Sequence, residues 1–509
     1  MALRRLVLPA LVFFTGACVL MVEVVSVRML APYFGNTIYS LSSILSVTLL
    51  ALSLGYYFGG KLSDRFPRWN LFFGIIAAAG IAVGLMRAVS HPLLFALSQT
   101  TSATSGPLVA SLLLFLVPAV FLGMLSPFAI KLEYAMEPKQ GVGSVAGLMF
   151  FWSTVGSIAG SLLAGFVLIP RLEIQTILLA VAGLLLLLGC TGILLTGRIT
   201  RSGLMLAVFT LPLAVLALLP FRKNLPPEIL LETEGMYQTI RVVDGEMRGK
   251  PAHLLFQDRN FSSATFNESD DLVFEYAPYY RLGMEFRKAP LKRALFIGAG
   301  AFSMPRDLLL RDPDAEVDVV DIEPGLFDIA VRYFRLQPSD QLRFAIQDGR
   351  FFLRKSEQSY DLIFSDVYQD FLAIPSHIAT REFFALGREK LSNDGMFIAN
   401  VIGSLKDSDH SFLFSEMRTF RESFPVSRFF AVHSRTSATL QNTIFLGCND
   451  EESCIDPCSE TFRAHSERFF RELCGKEIDP IAFALERYPF LTDEYAPVEY
   501  LAARSILAQ

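Results

Sequence analysis

Small residues and carboxylates recur at the ends of successive apolar runs in the second half of the sequence. Gly298-Ala-Gly300 closes one such run, Asp321 and Glu323 end the next, Asp348-Gly349 follows the third, and Asp366 ends the fourth. Glycines let a chain turn sharply and pass close to a ligand. An acidic side chain at the end of the second strand can accept hydrogen bonds from the two hydroxyls of a ribose. Turn glycines and helix-capping aspartates account for any one of these features. All four together match an open α/β sheet whose carboxyl ends converge on one crevice.

The elements that must position them are legible as alternating short apolar runs and helical stretches. Strands are expected over 294–298, 316–321, 343–346, 361–365, 395–401 and 442–447, with helices over 303–310, 325–335, 380–391 and 411–422. Strand, helix, strand at this spacing implies a doubly wound parallel sheet of the Rossmann-like α/β class. Before it, residues 236–266 read as a small β-meander, with TIRVVDGE and HLLFQD as alternating segments about a polar turn.

The run ALFIGAGAFSMPRDLL…VDVVDIEPGLFDIAVRYF…IQDGRFFL…YDLIFSDVY…IPSHIATREFFALGREKLSNDGMFIANV is similar to the spermidine synthase (polyamine aminopropyltransferase) family. With LETEGMYQTIRVV before it and LTDEYAPVEYL near the end, the similarity covers roughly 230–500. GACVLMVEVVSVRMLAPYFG and GYYFGGKLSDR look like the bacterial proteins in which such a domain is fused to a membrane region. The resemblance implies a methyltransferase-like fold and a sulfonium nucleoside, S-adenosylmethionine or its decarboxylated form, as co-substrate. It implies that Gly298 and Gly300 form the cofactor loop and that Asp321 holds the ribose, while Glu323 and Gly349 are expected at the same site from their place at the strand ends. Asp348 would read the adenine amino group and Gln238 would help close the site. Asp366 matches the acidic residue opening the catalytic loop. The chemistry agrees: a primary amine attacking a sulfonium carbon must first lose a proton, and its pKa lies near that of lysine, about 10.4. A carboxylate within reach binds the ammonium and accepts that proton.

The match is selective. The family's second catalytic aspartate falls on Gln369, an amide, with Asp370 one residue later. The acid of the glycine loop is Ala301, the Tyr-His pair framing the amine reads Glu275-Tyr276, and the Gln after the meander reads Ser262. Nucleoside positions are retained while amine positions are altered, so Asp366, Asp370, Glu275, Tyr276, Tyr368 and His377 are expected to line a modified acceptor pocket. His377 reads equally as a capping residue before the helix near Thr380, and Asp493 and Glu494 read as helix-entry caps in preference to pocket acids. Three functions follow as expectations: alkyl transfer from the nucleoside to an amine, nucleoside sensing without catalysis, or regulation of a polyamine or cation transporter formed by the first half.

The first half belongs to another solvent. The chain of 509 residues is 52% hydrophobic and 19% charged, with a mean hydropathy of +0.42, too apolar for a wholly soluble protein. Residues 1–223 carry 14 Lys and Arg against 5 Asp and Glu, whereas 224–509 carry 31 against 45. An acidic soluble half argues against a nucleic-acid partner. Apolar runs near 6–30, 38–60, 70–88, 107–130, 142–168, 172–196 and 202–220 predict about seven membrane spans, with region 88–106 holding room for one more. The first is too long for a cleavable signal. Three parts are therefore expected: a transmembrane bundle over 1–223, a meander and entry segment over 224–285, and a nucleoside-binding catalytic domain over 286–509.

Gly143, Gly147, Gly156, Gly160 and Gly165 in the fifth span predict close helix packing. Glu23 and Arg28 in the first read as an interhelical ion pair in preference to a transport site. The stretch GGKLSDRFPR, 59–68, resembles a loop of major-facilitator transporters, but seven spans are far fewer than such a transporter's usual complement.

Basic clusters at Arg4 and Arg5, at Lys61, Arg65 and Arg68, at Lys131 and Lys139, and at Arg198 and Arg201 fall on alternate loops, which the positive-inside rule places in the cytoplasm. Seven spans then put the second half outside. Cys448, Cys454, Cys458 and Cys474 lack zinc-ribbon spacing, and two disulfides from them would need an oxidising compartment. The cytosolic origin of S-adenosylmethionine points the other way, and on these ligand grounds a cytoplasmic domain is slightly favoured. The expected partners are a small-molecule amine and the lipid bilayer of a bacterial inner membrane, with a homodimer compatible and no metal expected; five scattered histidines of the second half show no metal-ligand spacing.

Overall fold

A computed structural model describes residues 2–102, 104–136, 141–196, 225–367, 375–406, 410–452 and 454–507. The chain divides at Asn224/Leu225 into two compact units.

The first unit is a bundle of α1 (Ala2–Phe34), α2 (Ile38–Arg65), α3 (Trp69–Thr100), α4 (Gly106–Met136), α5 (Val142–Leu163) and α6 (Ile174–Thr196). Among the described residues these six helices are long and apolar enough to cross a membrane. The seventh expected span, 202–220, lies outside the described residues. Region 88–106 adds no crossing, because α3 continues through Pro92 to Thr100 as one helix.

The helices meet most extensively as three pairs, α1 with α5, α2 with α4 and α3 with α6. Each pair is built on glycine. A Cβ on Gly156 or Gly160 would collide with the backbone of Phe13 or Ala17. The same holds for Gly55 and Gly59 against Gly123 and Met124, and for Gly189 against Ala77. Gly143, Gly147 and Gly165 face open space, so only part of the expected glycine stripe packs. Lys131 Nζ donates to Asp64 Oδ1 at 2.7 Å, joining the ends of α4 and α2.

The second unit opens with a four-stranded antiparallel sheet in chain order, β1 (Ile229–Glu234), β2 (Thr239–Met247), β3 (Lys250–Gln257) and β4 (Asn260–Phe266). The meander thus begins one strand earlier than the alternation alone suggests. A second sheet follows from β5 (Arg293–Ile297), β6 (Glu316–Asp321), β7 (Leu342–Ile346), β8 (Tyr360–Ser365), β9 (Leu391–Ser404), β10 (Val426–Ala431), β11 (Leu440–Cys448) and β12 (Glu477–Ile478), ordered β12-β10-β11-β9-β8-β5-β6-β7. Helices α7 (Ser303–Arg311), α8 (Leu326–Tyr333), α9 (Gly349–Lys355), α10 (Arg381–Glu389) and α11 (Phe412–Ser423) connect its strands, and α12 (Arg468–Lys476) precedes β12.

The expectation of a parallel sheet holds from β7 to β9 and fails beyond. β11 pairs antiparallel with β9, and β10 with β11 and β12, giving a methyltransferase-type mixed sheet. The link from β10 to β11 contains no helix, which an antiparallel return permits and a parallel crossover does not. β8 is buried along its whole length, which is why YDLIFS reads as a continuous run and not as an alternation. The order of winding reverses between β5 and β8: β5 leads to β6 and β7 on one side, and the parallel β8 is added on the other. Ligands bind at such switch points, outside the carboxyl ends of the strands.

Candidate active site

The switch point is closed by a turn that only glycine allows. Gly298 has φ +97° and Gly300 φ +49°, and Phe302 at φ 57° starts α7 from the left-handed region. A Cβ on Gly298 would strike the carbonyl oxygen of Asp366. Asp366 N in turn donates to Ile297 O at 2.9 Å, so the ends of β5 and β8 are tied together. Around them lies a cavity of about 350 Å³, within the size range of small-molecule sites.

Asp321 lines the cavity. Its Oδ2 accepts from Ala299 N and its Oδ1 from Glu323 N, both at 2.9 Å, so the carboxylate also braces the glycine turn. Burial pushes its pKa up against these bonds. Asp348 caps α9 by accepting from Phe351 N at 2.9 Å, and its Oδ2 lies 2.7 Å from His377 Nε2. That histidine contact, more than any other, holds the Asp348 carboxyl below its ordinary pKa. His377 therefore belongs to the cavity, and the cap of α10 is Thr380. Gln238 also lines the cavity, as does Gly349, where a Cβ would collide with Ile297.

Glu323 is a correction. Its side chain is buried and turned from the cavity, and it accepts from Met236 N and Tyr237 N, each at 2.9 Å. It fastens the β1–β2 turn that carries Gln238 instead of facing a ligand itself. No local signal in the sequence pairs it with a turn some eighty-seven residues away.

Asp366, also on the lining, accepts from Tyr276 Oη at 2.8 Å and from Asn400 Nδ2 at 2.9 Å. Burial raises its pKa while these two bonds oppose the rise. Tyr276 is kept protonated well above its usual range by burial and by the charge of Asp366. Its ring stacks on Phe274 at 5.6 Å, and Phe274 meets Phe261 edge-on at 5.1 Å, forming an aromatic wall. Asp321, Asp348 and Asp366 are joined on the lining by His377 and His433, and no Lys or Arg occurs among the described lining residues. Such a cavity suits a cation.

The remaining sites scatter. Glu275 is not among the lining residues. It pairs with His433 Nδ1 at 3.0 Å and Arg248 at 3.5 Å, with half its side chain exposed. Asp493 makes two 2.6 Å contacts with Arg350 and accepts from Thr380 Oγ1, so it is an ion-pair partner and neither pocket acid nor cap. Ser262 lines the cavity, whereas Ala301 is buried in the apolar core. Tyr368, Gln369 and Asp370 lie outside the described residues. Asn400 and Asn442 line the cavity without having been expected. Their signal was available: each is an amide interrupting an otherwise apolar strand, FIANV and NTIFLG.

Residues 281–454 match the spermine/spermidine synthase domain. A polyamine aminopropyltransferase of Vibrio vulnificus is 27% identical over 293 residues, covering 54% of this chain and 91% of the relative. Polyamine aminopropyltransferase 2 of Streptomyces coelicolor is 26% identical over 430 residues, covering 77% and 73%. That alignment is longer than the whole second unit and so extends into the helices. The crystal structure of a "probable spermidine synthase" from Corynebacterium glutamicum superposes with a TM-score of 0.43 at 19% identity, covering 52% of this chain and 97% of that one.

Within the second unit, residues 281–454 thus resemble a spermine/spermidine synthase domain, set on a methyltransferase-type mixed sheet. Behind an N-terminal bundle of apolar helices, it fits the membrane-fused form, and its relatives support a transferase of the aminopropyl type.

Proposed function

We propose that this protein is a membrane-anchored transferase that binds decarboxylated S-adenosylmethionine or S-adenosylmethionine and moves an aminopropyl or other alkyl group onto an amine. The observation that carries this reading is the convergence of Asp321, Asp348 and Asp366 on one cavity at the switch point, with Asp366 held by Tyr276 and Asn400. Asp321 and Asp348 serve the ribose and adenine, and the Gly298 turn brings backbone close to the sulfonium. Asp366 takes the proton that makes the amine a nucleophile. Its raised pKa brings it nearer the operating pH, as general-base work favours.

The test uses the full chain in detergent with radiolabelled nucleoside. Wild type is expected to bind both sulfonium nucleosides by calorimetry and to yield labelled amine product. Asp366→Asn is expected to lose at least about a hundredfold in rate while its nucleoside Kd stays within about threefold. Binding without product would turn the reading to a nucleoside sensor, and no binding at all would end it.

Cys448–Cys454 and Cys458–Cys474 pair as disulfides. These pairs favour a second unit in an oxidising compartment, and the basic loops agree only with 202–220 counted as a seventh span. A nucleoside made in the cytosol then has to be delivered to it.

A further inference from the structure

Asn400 and Asn442 carry the site beyond the positions at which the family resemblance assigns roles. Asn400 is 3% exposed on β9. Asn442 lies on β11, where the register sets Asn442 opposite Ile402 and Asn400 opposite Ile444, making the two amides diagonal neighbours. A side-chain amide has one donor end and one acceptor end, and its partner decides which end faces where. An ionised Asp366 only accepts, so Asn400 must turn its NH₂ toward it, as the 2.9 Å contact from Nδ2 to Oδ1 requires. Asn400 Oδ1 then faces Asn442, which must donate in turn, and Asn442 Nδ2 does so at 2.9 Å.

The polarity passed along this chain ends on Asn442 Oδ1, the acceptor end of an amide on a cavity-lining residue. One wall of the cavity therefore presents two kinds of acceptor, the Asp366 carboxylate and the Asn442 carbonyl oxygen. An ammonium with three N–H groups can satisfy both, whereas an alcohol with one O–H cannot.

We propose that Asn442, oriented by Asp366 through Asn400, is a recognition residue for the acceptor amine, its carbonyl oxygen taking one N–H of a primary ammonium while Asp366 takes the proton to be removed. This rests on the transfer reading. In the step itself, Asp366 accepts one proton from R–NH₃⁺. The freed lone pair forms the new C–N bond as the C–S bond breaks, its electron pair leaving on sulfur. The sulfonium becomes a neutral thioether and the product a secondary ammonium.

The experiment uses the full chain with decarboxylated S-adenosylmethionine and 1,4-diaminobutane. Asn442→Leu is expected to raise the amine KM about tenfold or more, with the nucleoside Kd within about twofold. Asn400→Leu, which removes a donor to the charged form of Asp366, is expected to lower kcat and move the acidic limb of the kcat/KM profile to higher pH. A second readout needs no turnover: in protein carrying ¹³C-carboxyl aspartate, the Asp366 signal is expected to respond to 1,4-diaminobutane in wild type. In Asn442→Leu it should need about tenfold more amine. An Asn442→Leu variant whose amine saturation, by either readout, lies within twofold of wild type overturns the proposal, as does a wild-type carboxyl that ignores the amine. Nucleoside binding without product sinks transfer alone, because the carboxyl titration still reports the amine contact.

Discussion

Glu416 is a carboxyl with nowhere to place its charge. It sits on α11, 5% exposed, and its Oε2 has no hydrogen-bond partner. Beside it is a hollow of about 20 Å³ shared with Ser365, Ala399 and Asn400, behind the strand ends that hold Asp366. Burial alone lifts its pKa well above the ordinary carboxyl range. The unfolded chain therefore gives up this proton at lower pH than the folded one. The stability tied to the neutral form is complete below the unfolded pKa of about 4.5 and is lost as pH climbs toward the folded value. Glu416→Gln, isosteric and always neutral, is expected to melt several degrees above wild type at about pH 8 and to converge with it near pH 4. Calorimetry of the full chain decides: parallel curves at both pH values would mean that the folded protein tolerates the charge. Residue chemistry was legible where it was local, at Asp321, Asp348 and Asp366. It was hidden at Glu323 and Glu275, whose partners are remote in sequence.

At the scale of elements, the helices pair through positions where a side chain cannot fit. In a bilayer no hydrophobic effect drives two helices together, so close backbone approach does that work. Gly156 and Gly160 press on α1, while Gly143 and Gly147 do not. The physical reason is periodicity: from Gly147 to Gly156 is nine residues, about 900° of helical rotation, which puts the two pairs on opposite faces. Gly156→Leu is expected to cost about 1–3 kcal/mol through overpacking, whereas Gly143→Leu, facing open space, should be near neutral. Thermal denaturation of the detergent-solubilised chain, followed by loss of monodisperse protein, compares them. Equal loss in both would reject the pairing of α1 with α5. In the second unit, short apolar runs between helical stretches were enough to find β5 to β9. β11 was found as a strand too, but its antiparallel direction was not, because a strand's sequence does not record the direction of its neighbour.

For the whole molecule, the question is which solvent bathes the second unit. The disulfides predict that Cys448, Cys454, Cys458 and Cys474 resist alkylation in freshly broken cells until a reductant is added. Peptide mass mapping should then find 448 joined to 454 and 458 joined to 474. Reduction is expected to remove about 2–4 kcal/mol of stability per bridge. Four thiols alkylated without reductant would place the unit in the cytosol and would agree with the supply of its nucleoside. By itself, the sequence determined that an apolar half precedes an acidic one, that the acidic half folds as an α/β sheet, and that glycine and carboxylates end its strands. These follow from local composition and period, which a chain carries along its length. Only tertiary structure decided which carboxylates share a cavity: Asp366 meets Tyr276, Asn400 and, through it, Asn442, while Glu323 and Glu275 turn to other partners. Those meetings depend on strand order and register, and no local stretch of sequence encodes them.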